Sequence, residues 1–382
     1  MSSVQSPVIP IVGELIRAHP GTISLGQGVV HYGPPPSALE RMKEFFEQPE
    51  NHKYKPVEGI PPLLEALSAK LTAQNKIAIN AENRIVVTAG GNMAFMNAVL
   101  AITDPGDEII LLTPFYFNHE MAVCMADCKP VVVWTDENFQ PRVDAIAAAI
   151  TPRTKAVVTV SPNNPTGAVY SESVLREINA LCKMRGIYHI SDEAYEDFVF
   201  DGAKHFSSES IPASAEHTIA LYSLSKSFGF ASWRVGYMLI PEHLFVSIKK
   251  IQDTILICPP VISQYAAVGA VTDGGDYVRT RIGELETTRR FVRAQLNSIA
   301  DICRVPQAEG ALYYFLYVNA GLKPMELVER LVKDHRVAAI PGDAFGAADG
   351  CSVRISFGAL KRETVEEGVG RLVRGLKAVV SQ

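Results

Sequence analysis

Seven short apolar runs between residues 85 and 240 constrain this chain more than any other feature. They are Ile85 to Thr88, Glu108 to Thr113, Pro130 to Trp134, Ala156 to Val160, Tyr188 to Ser191, Ile219 to Tyr222 and Val235 to Ile240. Runs this apolar and this short read as strands covered on both faces, and most are separated by segments of helical period. The expected fold is therefore α/β, a doubly wound, mainly parallel seven-stranded sheet. Ligands of such sheets sit outside the carboxyl ends of the strands, so the segments that follow each run are where chemistry is expected.

The 382 residues leave room for a second, smaller unit, and 47% hydrophobic against 20% charged residues describes an ordinary globular core. A net charge of −5 gives no basic field for nucleic acid. The six cysteines have no C-x-x-C spacing and no histidine set completes a metal site, so no metal is expected; they read as reduced, mostly buried thiols of a cytoplasmic protein. The first 21 residues lack a basic start and carry two prolines in their apolar stretch, which argues against a signal peptide or a membrane span.

The segment between the last two runs is the most informative. Ser223-Leu224-Ser225-Lys226 ends one run, and Arg234 opens the next. A lysine at the mouth of a buried strand loses ammonium solvation, so its pKa falls and the free amine becomes a nucleophile. Two hydroxyls and a guanidinium beside it suit a phosphate dianion. An amine beside a phosphate cradle suggests a phosphorylated aldehyde held as a Schiff base, for which pyridoxal phosphate is the candidate. Ser223 to Lys226 also satisfies the S-x-x-K of serine-acylating enzymes, although the K-T-G that accompanies it elsewhere is absent.

Other strand ends carry matching groups. Gly90-Gly91-Asn92 separates a strand from a helix, and such a glycine pair lets backbone N–H groups approach an anion at the helix N-terminus. Asp192 ends a buried run, where a carboxylate needs a partner. In the last third, Arg354 lies within Ser352 to Phe357 and faces inward if Ser352 and Ser356 do, and a buried arginine requires an anion.

These pieces resemble the class I/II aminotransferase family of fold-type I pyridoxal-phosphate enzymes, from about Ile23 to Phe357. The resemblance rests on Ser223-x-Ser225-Lys226-x-Phe228-Gly229, Arg234-x-Gly236-Tyr237, Asn163-Asn164-Pro165-Thr166-Gly167, Asp192-x-x-Tyr195 and Val353-Arg354-Ile355-Ser356-Phe357. It implies that Lys226 holds the cofactor and moves the proton between the substrate's α-carbon and the cofactor. It assigns Gly90, Gly91, Asn92, Ser223, Ser225 and Arg234 to the phosphate, and Tyr116 to stacking on the ring. Asp192 pairs with the pyridinium, and Asn164 and Tyr195 bind the ring hydroxyl oxygen. Arg354, with Gly28 and Asn164, holds the substrate carboxylate. Tyr54, in Tyr54-x-Pro56-x-x-Gly59-x-Pro61, reaches the partner's site in a homodimer. The segment departs from the family after Gly28, where Val29-Val30-His31-Tyr32 replaces an acidic residue with proline.

The expected division is an N-terminal arm over 1–40, a large cofactor-binding domain over 41–275 and a smaller α+β domain over 276–382. A charged helix over 276–299, with Ile282, Leu285, Phe291, Val292, Leu296 and Ile299 inward, bridges the last two. The function expected is transfer of an amino group between an amino acid and a 2-oxo acid. The alternatives are a β/γ-lyase or synthase on the same scaffold and, more remotely, the serine-acylating enzyme. Some aspartate aminotransferases place a lysine directly after the glycine pair to meet the distal carboxylate. Asn92 stands there, so a neutral or aromatic donor is expected.

Overall fold

The computed structural model describes residues 4–381. The seven runs form one sheet. In chain order its strands are β1 (Asn83–Thr88), β2 (Glu108–Thr113), β3 (Lys129–Trp134), β4 (Thr154–Val160), β5 (Tyr188–Asp192), β6 (Thr218–Ser223) and β7 (Gly236–Pro241). Side by side they run β1-β7-β6-β5-β4-β2-β3. Only β7 is antiparallel to its neighbours, so the sheet is mainly parallel as expected.

Burial on both faces is visible within single strands. Along β6, Ile219 and Leu221 pack with Val86, Phe95 and Leu111. Ala220 and Tyr222 point the other way, onto Leu63, Leu67 and Leu71 of the helix Pro61–Ala73. A strand covered twice has no polar face to offer solvent, which is why this run is apolar throughout; the edge strand β3 departs from the expectation, with Val132 and Trp134 exposed. Leu64, on the same helix, is half-buried.

The second unit is built on a four-stranded antiparallel sheet ordered Ile340–Pro341, Cys351–Ser356, Tyr313–Val318, Cys303–Arg304. The helices Pro324–His335 and Arg362–Val380 contribute Leu327, Leu331, Leu372 and Leu376 to its core. Ile23–Ser24 pairs in parallel with Val337–Ala338, which ties the N-terminal segment to this unit and carries Gly28 toward the large sheet. The first helix spans Val8–Ala18. Pro10 does not break it, because a proline in the first turn gives up an N–H that has no partner there.

The connecting helix runs Gly275–Asn297 and buries Leu285, Val292 and Leu296, while Ile282 and Phe291 are half-buried. Its buried residues also include Arg289, only 1% exposed. The cause is Asp201, whose Oδ2 takes Arg289 Nη2 at 2.8 Å and Arg293 Nη1 at 2.9 Å, a pairing that local periodicity does not reveal. Among the described residues no helix is long and apolar enough to cross a membrane.

Candidate active site

The ends of the parallel strands meet the second unit around a cavity of about 210 Å³. It is lined by Gly28, Gly91, Asn92, Tyr116, Asn164, Asp192, Tyr195, Ser223, Ser225, Lys226, Arg234 and Arg354, twelve of the fourteen residues singled out from sequence. Gly90 lies just outside the lining, and Tyr54 is away from it and 78% exposed. Ile9, Gln27, Phe117, Val160, Ala194 and Tyr313 complete the wall.

Each group arrives there for a local reason. Ser223 ends β6 and caps the single-turn helix Leu224–Ser227, its Oγ accepting Ser225 N–H at 3.2 Å. That turn presents Lys226, whose Nζ donates to Gly28 O. Burial, reinforced by the guanidinium groups of Arg354 and Arg234 and opposed by Asp192, lowers the Lys226 pKa from 10.5 to about 8. Such an amine is substantially free just above neutrality.

At the end of β1, Gly90 takes φ +87° and caps the helix Gly91–Ile102. A β-carbon there would stand 2.2 Å from Arg234 Nη2, so only glycine lets the guanidinium approach the helix N-terminus. Arg234 donates to Ala231 O at 2.8 Å and Ala89 O at 3.1 Å from a left-handed backbone, φ +55°. Free helical N–H groups, two serines and a cation thus share one corner of the cavity.

On the far wall, Arg354 is 2% exposed. Its Nη1 donates to Asn164 Oδ1 at 2.8 Å and its Nη2 to Gly26 O at 2.7 Å, while its Nε has no partner. Among the described residues no carboxylate pairs with it. A buried guanidinium in this state suits an incoming carboxylate, which supplies both the missing acceptor and the countercharge.

Two of the residues here that sequence reasoning did not single out make polar contacts to those it did. His119, on the helix Phe117–Met125, sets Nε2 3.1 Å from Asp192 Oδ2 and stacks on Phe95 at 3.9 Å. Asp192 Oδ1 accepts Ala194 N–H at 3.0 Å. Tyr313, fully buried, places its hydroxyl 2.5 Å from that of Tyr195, and its ring centroid lies 4.5 Å from the Arg354 guanidinium. Asn164 Nδ2 reaches the same Tyr195 oxygen at 3.5 Å. Burial drives the Tyr195 phenol well above its usual pKa, and Tyr116 is pushed up to about 12, burial again first. Both are proton donors at any ordinary pH. Tyr116 lies edge-on to His119 at 5.2 Å, and its hydroxyl reaches Asn92 Oδ1 at 3.4 Å.

The set fits pyridoxal phosphate: a glycine-permitted anion corner, a nucleophilic amine of lowered pKa, a braced carboxylate and a buried guanidinium without a countercharge all border one cavity. The family model for aminotransferase class I and II matches residues 20–372. The chain is 34% identical to the aromatic aminotransferase ISS1 of Arabidopsis thaliana, over 98% of this chain and 94% of that protein. It is also 34% identical to an aspartate aminotransferase of Pyrococcus abyssi, over 93% and 92%. The solved aspartate aminotransferase from Thermus thermophilus with maleate matches with a TM-score of 0.90 at 30% identity, covering 98% of each chain.

Proposed function

This chain belongs to the class I and II aminotransferase family, and we propose that within it the amino donor is neutral or aromatic. The protein is a pyridoxal-phosphate-dependent aminotransferase, moving an amino group between an amino acid and a 2-oxo acid. When bound, the cofactor supplies an electron-withdrawing ring that stabilises negative charge at the donor's α-carbon.

The proposed assignments follow the chemistry of the lining. Gly91, Asn92, Ser223, Ser225 and Arg234 bind the phosphate through backbone N–H, hydroxyl and guanidinium donors, with Gly90 keeping the corner open. Asp192, braced by His119, holds a positive ring nitrogen. Tyr195 and Asn164 donate to the ring oxygen, with Tyr116 against the ring. Arg354, a buried guanidinium with no carboxylate of its own, takes the α-carboxylate, beside Gly28 and Asn164. Lys226, free as an amine above about pH 8, holds the cofactor and then accepts the α-proton and returns it. Ser223 is not the nucleophile in this reading, because its oxygen caps the lysine turn.

The donor assignment is carried by one observation. The cations lining the cavity, among the described residues, are Lys226, Arg234 and Arg354, and each faces a different task above. The position after the glycine pair is Asn92, beside the Tyr116 hydroxyl, and Ile9 and Phe117 add apolar wall. An amide lacks the charge that makes ionic hydrogen bonds roughly twice as strong as neutral ones. Phenylalanine, methionine and alanine should therefore match or exceed aspartate in kcat/KM with 2-oxoglutarate as common acceptor. A preference for aspartate of more than about tenfold, or 1.4 kcal/mol, overturns the assignment.

The proposed assembly is a homodimer in which Tyr54 reaches the partner's phosphate. Its support is exposure: Tyr54 is 78%, Phe46 61% and Ile255 56% exposed, large apolar groups that a monomer leaves wet. Six free thiols support a cytoplasmic location. Sedimentation of Tyr54→Ala with and without cofactor tests the first point.

A further inference from the structure

We infer that Tyr313 is a positioning residue that fixes the direction in which Tyr195 offers its proton. The inference rests on the reading of Tyr195 as a donor to the cofactor's ring oxygen. A phenol has one hydrogen to give and two lone pairs to fill. Around the Tyr195 oxygen stand the Tyr313 hydroxyl at 2.5 Å and Asn164 Nδ2 at 3.5 Å. The amide nitrogen can only donate. The Tyr313 hydroxyl can do either, so its direction decides the geometry.

Arg354 settles that choice. Its guanidinium lies over the Tyr313 ring, 4.5 Å from the centroid. A cation on the ring face favours negative charge on the phenol and makes its hydroxyl the more acidic of the pair. The Tyr195 ring has Lys226 Nζ over it instead, farther off at 5.9 Å from the centroid. Tyr313 therefore donates and Tyr195 accepts. With both lone pairs of Tyr195 engaged, its hydrogen has one direction left, into the cavity. The surroundings keep Tyr313 in place. A β-carbon on Gly167 would stand 2.7 Å from its backbone carbonyl, and one on Gly28 would stand 2.6 Å from its hydroxyl, so both neighbours leave it little room.

The test uses the cofactor-loaded enzyme and three variants, Tyr313→Phe, Tyr195→Phe and the double variant. Tyr313→Phe removes one oxygen and leaves the ring and its guanidinium contact. The readouts are the pH titration of the bound chromophore's visible absorbance and the kcat-against-KM split. A proton donated to the ring oxygen stabilises negative charge there, so its loss makes the chromophore hold its proton to higher pH. Tyr313→Phe should raise that midpoint by roughly 0.5 unit, the scale of one modest hydrogen bond, and by less than Tyr195→Phe. The double variant should titrate like Tyr195→Phe alone, since Tyr313 acts only through Tyr195. Turnover should fall about fivefold with donor KM changed less than about twofold. A shift in Tyr195→Phe with none in Tyr313→Phe, or two shifts that add, overturns this inference alone. No shift in Tyr195→Phe overturns the donor role of Tyr195, and this inference with it.

Discussion

His119 Nε2 stands 3.1 Å from Asp192 Oδ2, with its ring stacked on Phe95 at 3.9 Å. The carboxylate is thus gripped from one side by an imidazole and from the other by the Ala194 N–H at 3.0 Å. Two grips on one carboxylate fix its plane toward the cavity. His119→Phe keeps the stack and removes the grip. Hydrogen bonds to charged groups contribute about 1.5–3 kcal/mol, so the Kd for pyridoxal phosphate, followed by absorbance titration of the apoenzyme, should rise at least about tenfold. An unchanged Kd would show that Asp192 needs no brace.

The Lys226 amine titrates near pH 8 because burial and two guanidinium groups oppose its charge. Capture of pyridoxal phosphate by the apoenzyme should accelerate as pH rises through about 8 and level off above it. Arg354→Gln removes one opposing cation, so the midpoint should move up. The same shift bears on stability. Between about pH 8 and the usual lysine value of 10.5, the unfolded chain holds a proton that the folded chain lacks. This lysine's contribution to apoenzyme stability therefore rises with pH across that window. A capture rate flat from pH 7 to 9 would contradict the lowered pKa.

Much of this is legible in the amino-acid sequence, and what is not has a common cause. Strand existence and the catalytic turn are local properties. Apolar runs of four to six residues, and hydroxyls and glycines around Lys226, carry their own signal. The reversed direction of β7 is not local, because nothing in Val235 to Ile240 records which way its neighbours run. His119 and Tyr313 escaped for the same reason. His119 looks like one polar residue in a short helix, and its partner lies 73 positions later. Tyr313 sits in a strand buried along nearly its whole length, so no alternation separated the inward hydroxyl from simple packing. Arg289 inverts the pattern: a charge inside the helix stripe, held by Asp201 from another segment.

Gly90 is the position where a single methyl should do most damage to the anion corner. Its φ of +87° disfavours any side chain, and the added carbon would meet Arg234 at 2.2 Å. Gly90→Ala should lower apoenzyme stability by about 1–3 kcal/mol, read in urea unfolding, and weaken cofactor retention as well. Wild-type retention would show that Arg234 does not need this approach.

Arg354→Lys retains the charge and loses the fork. Nη1 and Nη2 serve Asn164 and Gly26, so the guanidinium organises that wall while its charge stays without a carboxylate partner. An ammonium cannot hold three directions in one plane. The kcat/KM for the amino donor should fall about 100-fold, near 2.7 kcal/mol, while the absorbance of the bound cofactor stays as in the parent enzyme. A donor affinity equal to wild type would make Arg354 a purely structural residue.

Gly28 offers a suppressor experiment on the same wall. A β-carbon built on it would lie 2.6 Å from the Tyr313 hydroxyl oxygen but 3.5 Å from the ring carbon that bears it. The first distance forces something to move, and the second is an ordinary contact. Tyr313 has little freedom to yield, since its hydroxyl is held by Tyr195 and its ring by Arg354. Gly28→Ala alone should therefore destabilise the protein by about 1–2 kcal/mol, the usual scale of overpacking. In a Tyr313→Phe background the clashing atom is gone, and the same substitution should have almost no effect on stability. The two changes are thus expected to be non-additive, with the double variant more stable than Gly28→Ala alone. Thermal melting of the four proteins, wild type, both singles and the double, decides it. If Gly28→Ala is equally harmful in both backgrounds, the crowding does not involve the Tyr313 hydroxyl, and its place against Gly28 is not what keeps that oxygen on Tyr195.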